Sequence, residues 1–174
     1  MKSKENIVFL GMMGSGKTSI GKLISKELKL NFYDVDEYIE KKSGMKISKI
    51  FKENGEKFFR DLEEKITLKI LEKNNIVVSL GGGAFLNKNI RDKILNSHLS
   101  FWLKWDDKTL VNRIKNSFKR PIAQNLNKTE LIELIKKRSN IYSKALYTIE
   151  CDDLTKDQVV NKILSIYEKD KIIN

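Results

Sequence analysis

Long apolar runs, cysteine and proline are all scarce in this sequence of 174 residues. No apolar run approaches the roughly 20 residues that cross a bilayer, so no membrane partner is expected. The single cysteine, Cys151, excludes an intrachain disulfide and favours a reducing, cytoplasmic compartment. One proline, with 33% charged residues, is typical of a globular chain rather than a disordered one. The opening MKSKEN leads directly into apolar IVFL, which predicts no secretory signal.

Arginine is scarce as well, with five residues against 29 lysines. The net charge of +11 fits two interpretations, a nucleic-acid partner or a solvated surface rich in lysine. We favour the second, because the lysines are scattered and no basic run alternates with aromatic residues. In such a composition each arginine is a candidate for tasks that need a planar, bidentate donor. The five positions are Arg60, Arg91, Arg113, Arg120 and Arg138.

The length suits one domain, which we expect to cover residues 1–174 as a monomer. Short apolar runs alternate with segments of helical periodicity, the pattern of an α/β protein with a parallel sheet. The predicted strands are 5–10, 31–33, 76–80, 99–103 and 146–150.

Three helices stand out between these strands. One is predicted over about 55–73, because Phe59, Leu62, Ile66 and Ile70 share a helical face. Another follows the acidic pair at 106–107, and a third covers about 128–145. The long polar connection between the last two, about 116–128, is a candidate for a mobile lid.

The segment GMMGSGKT fits the phosphate-binding motif G-x-x-x-x-G-K-[ST] at every fixed position, with a strand before it and a helix after it. Backbone N–H groups of such a loop wrap phosphate oxygens at the positive end of the helix. Lys17 is predicted to neutralise the terminal phosphates and Thr18 to bind Mg²⁺. The predicted nucleotide-binding residues of this segment are Gly11, Met13, Gly14, Ser15, Gly16, Lys17, Thr18 and Ser19.

Two acids, Asp34 and Asp36, follow the second strand. In an extended backbone both carboxylates would project to one side, at the sheet edge where ligands bind. One acid would serve Mg²⁺, and the other would accept a proton from an attacking hydroxyl. Capping of the next helix, predicted to start near Glu37, is the alternative role. The third strand ends at Ser79 and offers no acid for Mg²⁺. Asp34 is therefore expected to take a larger part in holding the metal and its water ligands.

The segment SLGGGAF places three consecutive glycines, Gly81, Gly82 and Gly83, after the third strand. They allow close approach of a ligand to the backbone, or they form a tight turn. Arg60 has two open interpretations, a functional one and a helical ion pair with Glu63 and Glu64. Arg120 lies in the lid candidate, where it could meet the terminal phosphate as an internal arginine finger. Arg91 is assigned to the surface.

Taken together, GMMGSGKT, DVD, EKFFRDLEE, SLGGGAF, FKRP and KKRSNIYSKA occur in the order and at the spacing of the shikimate kinases, a family that the sequence resembles over nearly its full length. The resemblance implies ATP-dependent phosphorylation of the 3-hydroxyl of shikimate, in the route to chorismate and the aromatic amino acids. It also implies a P-loop kinase fold, an α/β architecture with a five-stranded parallel sheet in the order 2-3-1-4-5, flanked by helices and a mobile lid. The helices over about 34–73 would bind the substrate.

The resemblance also implies roles for single residues. Asp36 would bind the shikimate hydroxyls and act as the catalytic base, while Arg60 and Arg138 would bind the carboxylate. The triple glycine would contact a hydroxyl through Gly82. The other implied roles are phosphoryl stabilisation by Lys17 and Arg120, Mg²⁺ binding by Thr18 and Asp34, and stacking on adenine by Arg113.

Two alternative functions remain open at the level of sequence. A gluconate or nucleoside monophosphate kinase would share the architecture, since fold does not fix the substrate. A nucleotide-dependent nucleic-acid-binding module would use the positive charge instead.

Overall fold

The computed structural model describes residues 6–115 and 126–173. Within these ranges five strands alternate with seven helices. In chain order the elements are β1 (Ile7–Leu10), α1 (Lys17–Glu27), β2 (Asn31–Asp34), α2 (Val35–Ser43), α3 (Ile47–Leu71), β3 (Ile76–Ser79), a short 3₁₀ turn (Ala84–Leu86), α4 (Lys88–Ser97), β4 (Leu99–Lys104), α5 (Asp107–Lys115), α6 (Lys128–Tyr142), β5 (Tyr147–Glu150) and α7 (Lys156–Ile173).

The five strands form one parallel sheet in the order β2-β3-β1-β4-β5, which confirms the expected topology. Successive residues of a strand face opposite sides, so β1 contributes Val8 and Leu10 to one core cluster and Ile7 and Phe9 to another. Helices α2 to α6 pack on the first side, and α1 and α7 pack on the second. Both faces of the sheet are therefore covered, as parallel sheets require.

Strand order decides which loops become neighbours at the carboxyl edge of the sheet. β3 lies between β1 and β2, so the phosphate loop after β1 and the triple glycine after β3 lie side by side. Asp34, the last residue of β2, is in register with Ser79, the last residue of β3. Three motifs that are far apart in sequence thus meet at one edge, where ligands bind in open α/β sheets.

The predicted strands agree with the observed ones to within two residues, and the helix predicted over about 55–73 is confirmed, since α3 is helical from just after Gly55 to Leu71. The stretch of α3 before Gly55, which begins at Ile47, was not predicted, and Gly55 interrupts the element with a non-helical backbone at φ 82 and ψ 170. One local prediction was wrong. The backbone after Asp34 is not extended, because α2 begins at Val35 and Asp36 lies in its first turn.

Within the part of the chain that the structure describes, no helix is long and apolar enough to span a bilayer. The predicted lid falls mostly outside the described residues, as does Arg120. The structure describes the end of this connection, where Asn127 caps α6 in a reciprocal capping box with Glu130.

Candidate active site

The phosphate loop connects β1 to α1 and takes its shape from its glycines. Gly14 and Gly16 have φ values of 81 and 91, in the region that side chains disfavour, and Gly16 is the N-cap of α1. A Cβ atom on Gly11 would lie 2.9 Å from the carbonyl oxygen of Leu103 on the neighbouring strand β4. The loop can therefore pass close to β4 and present the N-terminus of α1 to an anion.

The predicted nucleotide-binding side chains of this loop occupy different environments. Lys17 is 8% exposed, and its Nζ donates to the carbonyl oxygens of Gly11 and Met12 at 3.0 and 2.9 Å. Ser15 is buried, and its Oγ has no hydrogen-bond partner among the described residues. The Met13 side chain is buried in the core, so this residue offers a ligand its backbone. Ser19 is exposed on the first turn of α1.

Thr18 and Asp34 meet at the start of two helices. The Thr18 hydroxyl donates to Asp34 Oδ2 at 2.6 Å, while Asp34 Oδ1 accepts from the backbone N–H of Glu37 and caps α2. The proposed metal role and the capping role of Asp34 thus use different oxygens of one carboxylate. This pair presents hydroxyl and carboxylate oxygens, the ligand type that Mg²⁺ prefers, beside the phosphate loop.

Arg113 extends the phosphate loop side of the site from α5. Its guanidinium is stacked 3.7 Å from the centroid of the Trp105 ring, and Nη1 lies 3.4 Å from the Gly14 carbonyl oxygen. Trp105 is fixed in turn, because its Nε1 donates to the Ser15 carbonyl oxygen at 2.9 Å. Arg113 is exposed, so a flat ring can approach the guanidinium face that Trp105 leaves uncovered.

The triple glycine lies against the substrate candidates. A Cβ atom on Gly81 would lie 2.6 Å from Glu63 Oε1 and 2.7 Å from Asp36 Oδ1. A Cβ atom on Gly83 would lie 2.5 Å from Arg60 Nη1. At these two positions any side chain would displace an acid or an arginine, so the glycines provide close approach as well as a turn.

Arg60 forms ion pairs with two acids of its own helix, which bears on the choice between a functional role and a helical ion pair. Nη1 donates to Glu63 Oε2 at 2.6 Å, while Nε and Nη2 donate to Glu56 Oε1 at 3.3 and 3.2 Å. The ion pair predicted with Glu63 is confirmed. The one predicted with Glu64 was wrong, because Glu64 accepts from side chains after the triple glycine, Asn87 and Asn89.

Arg138 reaches the same place from α6. It is 5% exposed, and Nη1 lies 3.4 Å from the Gly82 carbonyl oxygen and 3.7 Å from Met12 Sδ. Nε is buried without a hydrogen-bond partner among the described residues. A buried guanidinium with such long contacts retains strong capacity to bind an anion, because burial of an unpaired charge is costly.

The acids and arginines shift each other's ionisation. Burial raises the pKa of the Glu63 carboxyl, although the charges of Arg60 and Arg138 act against it. Burial acts to lower the pKa of Arg60, but the carboxylates of Glu63 and Glu56 outweigh it and the pKa is raised. Arg60 is therefore a permanent cation, and Glu63 links the two arginines electrostatically.

The sequence reasoning missed Glu63 as a site residue and assigned Arg91 to the surface. Glu63 is 2% exposed in the helical stripe of Phe59 and Ile70, and an acid in an otherwise apolar stripe was a usable signal. Arg91 is half-buried and donates from Nη1 to the carbonyl oxygens of Phe85 and Leu86, at 3.1 and 2.9 Å. Its partners are backbone atoms of a turn, which no sequence pattern would indicate.

The family model and the curated relatives that match this chain carry the same description. The family model described as shikimate kinase matches residues 13–168. A shikimate kinase from Thermodesulfovibrio yellowstonii is 41% identical, with 95% of this chain and 96% of the relative covered. One from Persephonella marina is 39% identical, with 91% and 96% covered.

Solved structures agree with these relatives. The structure of a shikimate kinase from Acinetobacter baumannii in complex with shikimate has a TM-score of 0.91 and 30% identity, covering 98% of this chain and 96% of that one. A gluconokinase from Sinorhizobium meliloti has a TM-score of 0.59 and 17% identity, with 95% and 92% covered, and so shares the fold alone. Both the curated relatives and the solved structure span nearly the whole chain, and this protein belongs to the shikimate kinase family.

Proposed function

We propose that this chain transfers the terminal phosphoryl group of ATP to the 3-hydroxyl of shikimate, forming shikimate 3-phosphate and ADP. The observation that carries the proposal is the convergence of Asp36, Arg60 and Arg138 on the triple glycine, next to the phosphate loop. Membership of the shikimate kinase family supports both the reaction and the use of ATP.

The substrate carboxylate binds between Arg60 and Arg138. Glu56 and Glu63 occupy donors on two sides of the Arg60 guanidinium and fix its plane, so its remaining N–H groups have a defined direction. Arg138 adds a second, buried cation with a donor available at Nε. Two guanidinium groups bind a carboxylate with charge-assisted hydrogen bonds, which are stronger than neutral ones.

The ring hydroxyls bind near Asp36 and the backbone of Gly81, Gly82 and Gly83. Asp36 accepts the proton of the 3-hydroxyl as the oxygen attacks phosphorus, and the absence of side chains at the glycines lets the ring approach the backbone. Anchoring the carboxylate at one end of a rigid ring fixes the distance of the hydroxyl from the phosphate loop. Positioning of this kind supplies much of the catalysis of phosphoryl transfer.

ATP binds with its phosphates on residues 11–19 and its adenine against Arg113, opposite the Trp105 ring. Lys17 exchanges its carbonyl contacts for phosphate oxygens, which are far better partners for a buried cation. Arg120, outside the described residues, approaches the transferred group from the lid, about 116–128. The whole chain, 1–174, acts as one domain.

Thr18 and Asp34 would hold Mg²⁺, which supplies neutralisation of phosphate charge when bound. The oxygen atoms of this hydrogen-bonded pair suit a hard cation. Among residues 6–115 and 126–173 no cluster of three or more acidic, His or Cys side chains could hold a metal. A site with only one or two protein ligands is sufficient for Mg²⁺, because in kinases phosphates and water supply most of its ligands.

A coupled assay of ADP release with shikimate, gluconate and nucleoside monophosphates tests the proposal. Turnover with shikimate alone is expected, because gluconate and nucleotides do not present a carboxylate and a ring hydroxyl at matching positions. Turnover with another acceptor and none with shikimate would refute it. Filter binding of nucleic acid at two salt concentrations is the parallel test of the alternative based on the net charge of +11, and we expect no tight, salt-dependent binding.

A further inference from the structure

The hydroxyl of Tyr142 donates a hydrogen bond to the carbonyl oxygen of Gly82, the central residue of the triple glycine. Tyr142 is 2% exposed, and its ring packs against Trp102 with ring centroids 6.0 Å apart. Burial raises the pKa of Tyr142 to about 12, although the charge of Arg138, a side-chain hydrogen bond with Arg138 and the charge of Arg60 act to lower it. The hydroxyl therefore keeps its proton near neutral pH and acts as a donor.

The same carbonyl oxygen is within reach of Arg138. Arg138 and Tyr142 are four residues apart on α6 and so lie on one face of the helix. Arg138 Nη1 lies 3.4 Å from the Gly82 oxygen, beyond the roughly 2.9 Å of a strong N–H···O bond. The Tyr142 hydroxyl therefore forms the shorter hydrogen bond to this carbonyl oxygen, and Arg138 Nη1 forms a long and weak contact.

We propose that Tyr142 is a positioning residue: its hydroxyl occupies the Gly82 carbonyl and thereby keeps Arg138 available for the substrate carboxylate. The inference rests on the proposed function, in which Arg138 binds that carboxylate. A buried carbonyl that loses its donor is costly to leave unpaired, so it draws the next donor within reach. Without the Tyr142 hydroxyl that donor is Arg138 Nη1, and the guanidinium moves from the substrate toward the loop.

Replacing Tyr142 with Phe removes the hydroxyl and keeps the ring against Trp102. We expect the KM for shikimate to rise about five- to tenfold, the effect of weakening one hydrogen bond to a charged group. The KM for ATP should not change, because the ATP-binding residues lie on the phosphate loop and α5. Tyr147→Phe is the matched control: its hydroxyl bonds to Asp170 on α7, 3.1 Å away, and its removal should leave both KM values unchanged.

A substrate analogue separates positioning from a merely structural role. Shikimate with a carboxamide in place of the carboxylate offers Arg138 no charge, so Tyr142→Phe should weaken binding of shikimate but not of the carboxamide. Equal weakening of both ligands, measured as Kd by calorimetry, would overturn the inference. If Tyr142→Phe does not fold, 3-fluorotyrosine at position 142 retains the donor and the shape, and should leave the KM for shikimate at or below the wild-type value; a rise would overturn the inference.

The two proposals fail in different ways. A wild-type chain that does not phosphorylate shikimate would refute the proposed function. A wild-type chain that does so, together with an unchanged KM for shikimate in Tyr142→Phe, would refute the role of Tyr142 alone.

Discussion

At the scale of single residues, Arg60 is distinguished from the many lysines by its geometry. Three of its nitrogens are bonded to two acids, so the guanidinium has a fixed plane. A lysine at this position would keep the charge and lose the directed fork.

Arg60→Lys should therefore raise the KM for shikimate about ten- to a hundredfold, the value of a charge-assisted hydrogen bond. Steady-state kinetics with both substrates measures this. The control is Arg113→Lys, which should raise the KM for ATP and leave that for shikimate unchanged, because Arg113 lies across the site on α5. An unchanged KM for shikimate in Arg60→Lys would return Arg60 to the role of a helical ion pair.

Alanine substitutions in the triple glycine should raise the KM for shikimate by different amounts. Gly81→Ala should raise the KM for shikimate strongly, because its Cβ would displace both Glu63 and Asp36, whereas a Cβ on Gly82 would meet the Met13 nitrogen at a milder 3.4 Å. Gly82→Ala is thus the matched control within the same loop, and its KM should change less. The opposite order would show that the glycines serve the turn and not the acids.

Sequence reasoning at this scale identified the charged residues better than it identified their partners. The scarcity of arginine pointed to Arg60, and the structure places its guanidinium beside Gly83 of the triple glycine. The partner Glu56 and the linking acid Glu63 were not assigned to the site, because helical spacing predicts which residues are neighbours but not which of them face a loop from another part of the chain.

At the scale of elements, the junction between β2 and α2 combines a helix cap with the proposed metal site. Asp34→Asn separates the two roles, since Asn caps helices as well as Asp does. The melting temperature should stay unchanged, while the Mg²⁺ concentration for half-maximal activity should rise roughly tenfold or more. Activity titrated with Mg²⁺ measures this, and an unchanged requirement would leave Asp34 as a helix cap alone.

The break in α3 at Gly55 is the second element that can be tested. Its φ of 82 and ψ of 170 are accessible essentially to glycine alone, and no atom of residues 6–115 or 126–173 lies within 4 Å of a Cβ placed there. Gly55→Ala should cost about 1–3 kcal/mol of stability through backbone strain. It should also raise the KM for shikimate, because α3 carries Arg60, and leave the KM for ATP unchanged.

Gly44→Ala is the control for Gly55→Ala. Gly44 ends α2 in the left-handed region, at φ 66 and ψ 11, and no atom of the described residues lies within 4 Å of its Cβ position, so an alanine is strained there too, although by less than at Gly55. We expect a lower melting temperature with unchanged kinetics. If both variants lost stability and neither changed the KM for shikimate, the break at Gly55 would have no role in placing Arg60.

The element predictions succeeded where periodicity is strong and failed where one residue alters the backbone. All five strands were predicted, because each apolar run is bounded by turn residues or helical segments. The stretch of α3 before Gly55, residues 47–54, was not predicted, whereas the helix after Gly55 agrees with the prediction. The extended backbone expected after Asp34 was wrong because Asp34 is itself a good N-cap.

At the scale of the whole molecule, the strand order brings the site together. The motifs after β1, β2 and β3 are separated by tens of residues in sequence, yet the order β2-β3-β1 makes their loops adjacent. Periodicity and motifs predicted a parallel sheet, while the order came from the family resemblance, because strand order depends on long-range packing that local patterns do not encode. The side-chain contacts at the carboxyl edge of the sheet could be identified only from the structure.

A crystal structure of this chain with shikimate would test the proposed substrate site directly. We expect the carboxylate to lie within hydrogen-bond distance, about 3 Å, of guanidinium nitrogens of both Arg60 and Arg138. We expect a ring hydroxyl at the same distance from Asp36, with the 3-hydroxyl directed toward the phosphate loop. Shikimate bound away from the triple glycine, or with its carboxylate remote from both arginines, would refute the proposed site.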